Sequence, residues 1–238
     1  MRSSRFFSII FTLSLFLLIL TAAISLPIYI RPFYYAHIEP YALETVSGHS
    51  ATEIRDAYDA VLDYLTIPGR EFSTGVFVHS QAGKAHFEDC KVLFDLNRNV
   101  LLLSGLALGL LLILRKKFGP YRLGNRSGAW WAGLLALAAP LVLGGLAALD
   151  FDRAFVIFHS LFFPGKDNWI FDGRYDEIIR VLPQDFFMHC AMLIGGGLLI
   201  FSLGILILPE SGTKTGNTKK NLIGCSHLRY LLFRKELV

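Results

Sequence analysis

Charge is what this chain has least of. Of its 238 residues only 18% are Asp, Glu, Lys or Arg, against about a quarter in an ordinary soluble domain, and 53% are apolar. The apolar residues are gathered into long runs, which excludes a freely soluble globular domain. Cysteine is scarce too: Cys90, Cys190 and Cys225 make no disulfide framework. Cys90 and Cys190 fall at helix ends on one side of the membrane and read as small apolar fillers, with a pairing between them left open. Also missing are a phosphate-binding glycine loop, an HExxH pair, a CxxC pair and a GxSxG elbow. A nucleotide-driven pump and a serine hydrolase of familiar type are therefore not expected, and neither is a nucleotide or other cofactor.

What remains are four runs near the ~20 residues that cross a bilayer: 6–30, 92–114, 128–149 and 186–208. The first extends uncharged well beyond the core of a cleaved leader and reads as a retained anchor. The fold class expected is an all-α integral membrane protein, a single membrane domain over 1–238 with four transmembrane helices and two outward-facing helical or loop segments. The net charge of +4 is distributed as topology, not as a nucleic-acid surface. Arg2 and Arg5 precede the first run. Arg115, Lys116, Lys117, Arg122 and Arg126 fill the loop between the second and third with no acid, and the 209–238 tail is basic. If the spans alternate, all three lie inside. Both termini are then cytoplasmic, and the acid-rich segments 31–91 and 150–185 face outward from the cell membrane.

Within the first outward segment, Ser50 and Glu53 form a capping-box pattern. Ile54, Tyr58, Val61, Leu62 and Leu65 then recur at helical spacing. Asp56, Asp59 and Asp63 read as a solvated face, and 70–85 as a loop. In the second, Phe151, Phe155, Phe158 and Phe162 predict a short aromatic helix in the lipid interface, broken by Pro164 and Gly165. Asp172 is placed to cap a further brief helix. Glycines clustered in the spans, at Gly105 and Gly109, Gly144 and Gly145, and 195–197, suit close helix packing.

Histidine is the remaining source of chemistry, since it alone titrates near neutrality unperturbed. His37, His49 and His79 show no evident partner and read as surface residues. His189 suits an interfacial hydrogen bond. His86 is different, because Asp89 lies three residues on and could orient its ring, with Cys90 on the same face. The alternative is a helix start where Glu88 and Asp89 merely favour the dipole, and the residues weigh the two equally. His159 on an aromatic face reads by itself as a structural histidine. His86, Asp89 and His159 could also ligate zinc, although their spacing is not a ligand motif. Asp95 and Arg98, at the rim of the second span, could pair with each other or meet a lipid headgroup.

Two stretches carry a resemblance. SQAGKAHFEDCKVLF at 80–94, and FHSLFFPGKDNWIFD at 158–172 followed by DEIIRVLPQDFF at 176–187, resemble the two signatures of the lipoprotein intramolecular transacylases, small four-span membrane proteins of Gram-positive bacteria. Cys90 stands where that family is expected to carry Val. The resemblance implies an acyltransferase that moves the sn-2 O-acyl chain of a diacylglyceryl-cysteine to its α-amine, giving lyso-form lipoprotein. Its partners would be diacylated bacterial lipoproteins and membrane lipid, and its catalytic residues His86 and His159. Asn168, Trp169 and Asp172 would shape the site beside Asp89, with no metal or cofactor. His86 is the expected base and His159 the expected oxyanion stabiliser or acid, with the roles exchangeable. A zinc-dependent membrane hydrolase and a non-enzymatic membrane adaptor or assembly protein are the competing readings.

Overall fold

The structure, a computed structural model, describes residues 5–118 and 120–207, with the side chains of 142, 143 and 146–148 excepted. The tail at 209–238, with Cys225 and His227, lies outside the described residues. Helix α1 spans Arg5–Tyr29, α2 Arg31–Tyr35, α3 Leu43–Ser47, α4 Ala51–Thr66 and α5 Gln81–Phe118. A two-residue hairpin (β1 Arg122–Leu123, β2 Arg126–Ser127) leads to α6 at Gly128–Leu149, α7 at Phe151–Phe162, a 3-10 turn at Glu177–Arg180 and α8 at Gln184–Ile207.

The chain is an all-α membrane protein with four spanning helices. Helices α1, α5 and α8 are long and apolar enough to cross a bilayer, and the 22 residues of α6 supply the fourth. Helix α1 is the hub, packing on α5, α6 and α8, while α6 and α8 pair. The packing is inverted relative to a water-soluble bundle. Ser8, Thr12, Ser14, Thr21, Asn97, Ser104 and Ser202 are buried, whereas Leu103, Leu106, Ile113, Ile200 and Ile207 are exposed. Apolar side chains face lipid, and small or hydroxylated ones let backbones approach. Of the clustered glycines Gly197 is the most closely packed, since a Cβ there would lie 2.7 Å from Leu26 Cδ1 and that methyl would have to swing aside, while Gly109, Gly144, Gly145 and Gly196 have nothing within 4 Å.

The large hydrophobic core sits in a cap above one end of the bundle. Tyr34, Leu43, Ile54, Tyr58, Val61, Leu65, Phe87, Ile178, Val181 and Phe186 form it. The capping box expected at Ser50 and Glu53 starts α4. Tyr34 stacks on Tyr58 at 3.7 Å between ring centroids, and its hydroxyl donates to the Val181 carbonyl at 2.7 Å. This ties α2 to the chain entering α8.

Several expectations need correction. Asp59 and Asp63 are not a merely solvated face: both pair with Arg31, binding α4 to α2. The segment 70–85 is not a loop throughout, because α5 begins at Gln81 and runs 38 residues, about 57 Å at the helical rise. The 80–94 motif is thus the opening of a spanning helix. Asp172 caps no helix; the 3-10 turn follows Asp176. Asp95 and Arg98 do pair, at 2.8 Å, and Arg98 also donates to the Thr66 carbonyl. Cys90 and Cys190 are both free thiols packed against the cap core.

Candidate active site

The first turn of α5 is built around Ser80, whose hydroxyl oxygen accepts from the Gly83 amide at 2.9 Å and satisfies one of the helix's open donors. Ser80 in turn donates its amide and its hydroxyl to the two carboxylate oxygens of buried Asp176, at 2.8 and 2.9 Å. Gly83 makes that approach possible. A Cβ at position 83 would lie 2.1 Å from Asp176 Oδ1 and 3.1 Å from the Phe171 ring. His86 follows one turn later on the same side of the helix, and the edge of Phe171 meets it at 5.5 Å.

His159 arrives from the other direction. Helix α7 is capped by Asp150, which accepts from the Arg153 amide at 2.9 Å. Its exposed face carries Val156, Ile157 and Leu161, and His159 is the one buried residue of the helix. Its Nδ1 lies 2.8 Å from the Phe155 carbonyl. A carbonyl only accepts, so Nδ1 carries the proton and Nε2 of the neutral ring holds the lone pair. Trp169 stacks on the ring of His159 at 4.5 Å between centroids.

The two imidazoles are neighbours, with ring centroids 5.8 Å apart and planes inclined by 33°. Phe163 touches both, at 4.9 Å from His86 and 5.8 Å from His159. Both histidines are buried, at 6% and 7% exposure, within a wall of Phe87, Phe155, Phe163, Phe171 and Trp169. Burial therefore lowers the pKa of both. For His86 it does so to about 4, with the adjacent His159 and the Lys166 charge adding to the effect and Asp89 opposing it. For His159 the Phe155 carbonyl partly offsets the lowering. At neutral pH both rings are neutral.

Asp89 does not orient His86 directly. Its carboxylate accepts from Lys166 Nζ at 2.5 Å and from Asn168 Nδ2 at 3.0 Å. The hydrogen bond from Lys166 holds its pKa below the usual value. Asp89 thus clamps the segment after α7 onto α5, and its neighbour Trp169 is carried onto His159. The ring of His86 instead places Nε2 at 3.4 Å from Cys90 Sγ. His86 Nδ1 and Asn168 Oδ1 are buried with no partner among the described residues. Such orphaned atoms cost stability and mark places where a ligand completes the bonding. Asp172 stands apart: its carboxylate is held by Arg174 on an exposed turn. Its backbone carbonyl accepts from the Tyr175 and Asp176 amides, shaping the turn that delivers Asp176. Among the described residues no three His, Cys, Asp or Glu side chains are placed to share a metal ion, so the zinc arrangement of His86, Asp89 and His159 is not formed. Phe163, Lys166, Phe171, Asp176 and Gly83 were not singled out from the sequence, although all lie within or beside the two motifs.

Residues 9–187 match the family profile described as lipoprotein intramolecular transacylase Lit. The chain belongs to this family. The in meso structure of the membrane-integral Lit of Bacillus cereus is similar over 96% of this chain and 95% of that one, with 25% identity and a TM-score of 0.76. A histidine-to-alanine variant of that protein matches over 84% of this chain and 89% of its own, at 26% identity and a TM-score of 0.71. No curated protein matches the sequence. As a Lit-family transacylase the protein is a membrane enzyme of the acyltransferase class, with lipoproteins as its substrates. The adaptor reading is set aside.

Two outcomes test this geometry. Gly83→Ala forces Asp176 away from Ser80, an overpacking change worth about 1–3 kcal/mol. The thermal midpoint of the purified protein should fall, and an unchanged midpoint would show that the approach is not constrained. The second concerns acid. The unfolded chain takes up a proton at His86 below pH about 6.5, while the folded one resists until about 4. Stability therefore rises with pH across this window and is lost on acidification. His86→Phe should flatten the fall in thermal midpoint between pH 6.5 and 4; a slope equal to that of the parent would contradict the buried, neutral state.

Proposed function

We propose that this Lit-family enzyme moves the sn-2 acyl chain of a diacylglyceryl-cysteine from its glyceryl oxygen to the cysteine α-amine, using His86 and His159 at the outer face of the cell membrane. The observation that carries the reading is the close approach of two buried imidazoles, each with a ring nitrogen that bonds to none of the described residues. The basic 115–126 loop and the acid-rich cap support an orientation with the cap outside and the termini in the cytoplasm. The exposed apolar face of α7 supports placing His159 at the depth of the glyceryl esters.

The nucleophile belongs to the substrate, so no enzyme serine or cysteine is needed. Bonding to the Phe155 carbonyl leaves the lone pair on His159 Nε2, which makes His159 the better base, in exchange for the role first expected of His86. The neutral amine attacks the ester carbonyl and a C–N bond forms. His159 Nε2 takes the proton released from nitrogen and returns it to the glyceryl oxygen as the C–O bond breaks. His86, as the tautomer protonated at Nδ1, donates that hydrogen to the developing oxyanion, which a neutral imidazole in a dry site can do. Asn168 Oδ1 is available to accept an N–H of the attacking amine. Lys166, Asp89 and Trp169 are positioning residues. The ester-to-amide conversion runs downhill without ATP.

His159→Gln and His86→Gln should each lower transacylation by about 10²–10⁴-fold. The measure is mass spectrometry of lipoprotein N-termini in a host with no other N-acylation. Normal lyso-form lipoprotein from both variants would overturn the assignment. Because both histidines are already neutral, the acidic limb of the rate should follow the substrate amine, near pH about 8. A limb set at the ordinary histidine value instead would show that one ring is charged in the resting enzyme.

A further inference from the structure

The ring of His86 makes one hydrogen bond among the described residues, and its partner is a thiol. Cys90 follows four residues later on α5, on the same face of the helix, and its Sγ lies 3.4 Å from His86 Nε2. The other ring nitrogen, Nδ1, is buried without a partner. Among the described residues, then, only Cys90 can select which nitrogen carries the ring hydrogen.

A cysteine against a histidine in an acyl-transfer enzyme has a familiar reading, a thiolate nucleophile beside its base. Burial opposes it from both sides. It pushes the Cys90 thiol up to about 12, with the Asp89 charge adding to the effect, and it holds the His86 imidazole down at about 4. A thiolate beside an imidazolium needs the opposite of both shifts. At neutral pH the pair is a thiol and a neutral ring.

A neutral pair has two arrangements. With the hydrogen on Nε2, the ring donates to sulfur, a weak acceptor, and the Nδ1 lone pair is left buried and bare. With the hydrogen on Nδ1, Nε2 accepts the S–H, and a ring nitrogen is the better acceptor of the two. We propose that Cys90 is a positioning residue of the transacylase, whose S–H donates to His86 Nε2 and so keeps the ring hydrogen on Nδ1. This rests on the proposed function, in which that hydrogen goes to the developing oxyanion. His159 holds the same tautomer, but there the Phe155 carbonyl engages Nδ1 and leaves the lone pair of Nε2. Two contacts, each made within one helix at four residues' spacing, thus leave opposite nitrogens for the substrate. Valine, the residue the family is expected to carry at this position, has no hydrogen to give, so Cys90→Val is the natural control.

Nitrogen-15 NMR of the full-length protein labelled at histidine reads the tautomer, because protonated and bare ring nitrogens resonate far apart. The His86 signals are those lost in His86→Gln. The parent should show Nδ1 protonated and Nε2 bare. In Cys90→Val the hydrogen should shift towards Nε2, and kcat for transacylation should fall about three- to tenfold with KM unchanged, the size of one neutral hydrogen bond. A parent ring protonated at Nε2, or a tautomer unmoved in Cys90→Val, would overturn the proposal and leave the proposed function standing. A moved tautomer with unchanged kcat would overturn the positioning role together with the donor role of His86 on which it rests. Should Cys90→Val fold poorly, Cys90→Ala lacks the same hydrogen and is read by the same two measurements, and the parent spectrum decides on its own whether Nδ1 is protonated.

Discussion

The closeness of the 171–176 turn to the first turn of α5 governs the site. Asp176 reaches Ser80 only because position 83 has no side chain. That contact sets where α5 begins, and therefore which side of the helix His86 faces. It also brings Phe171 against His86 and Phe87. About two turns further along α5, Asp89 clamps Lys166 and Asn168, just before the 171–176 turn in the chain. Between these two anchors the chain from Trp169 to Tyr175 has little freedom, and the ring stacked on His159 comes from it. The geometry of both imidazoles thus follows from polar contacts that lie outside the aromatic wall.

The cap and bundle solve different problems. The cap buries large apolar side chains in the manner of a water-soluble domain, where removing them from water supplies the driving force. The bundle cannot use that force, because lipid is as apolar as leucine. It relies on polar side chains that bond within one helix, as Thr21 does to the Leu17 carbonyl, or from one helix to the next, as Asn97 of α5 does to Ser25 of α1. The site sits where the two regimes meet. Helix α5 belongs to both, with His86 in its cap portion and Asn97 in its membrane portion.

Much of this was legible in the sequence. The spans showed because a bilayer demands unbroken apolar runs, and α7 because its aromatic residues repeat at helical spacing. The two catalytic candidates came from the motifs, not from local chemistry, since a buried histidine on an aromatic face looks structural until its neighbour is known. The start of α5 was not legible, because the carboxylate that organises Ser80 lies 96 residues away. Asp89 misled for a related reason: helical spacing put it on the side of His86, but Lys166, 77 residues distant, captures its charge. His37 seemed partnerless because its partner His189 is 152 residues on. Local periodicity reports elements, and long-range polar contacts decide what those elements present to one another.

The enclosure bears on why such a site would transfer an acyl chain in preference to hydrolysing it. A base that activates an amine can activate water as well, so selectivity must come from what reaches the carbonyl. An amine on the same molecule as the ester gains effective molarity, worth up to about 7–11 kcal/mol when well aligned. The aromatic wall around His86 and His159 leaves the rings only 6% and 7% exposed, which disfavours bulk water as a competitor. The same dryness keeps both imidazoles neutral, so that one can accept a proton and the other can donate a hydrogen bond without either being charged beforehand. In the proposed mechanism burial therefore serves the base, the oxyanion and the choice of nucleophile together, and relaxing the aromatic packing would weaken all three at once.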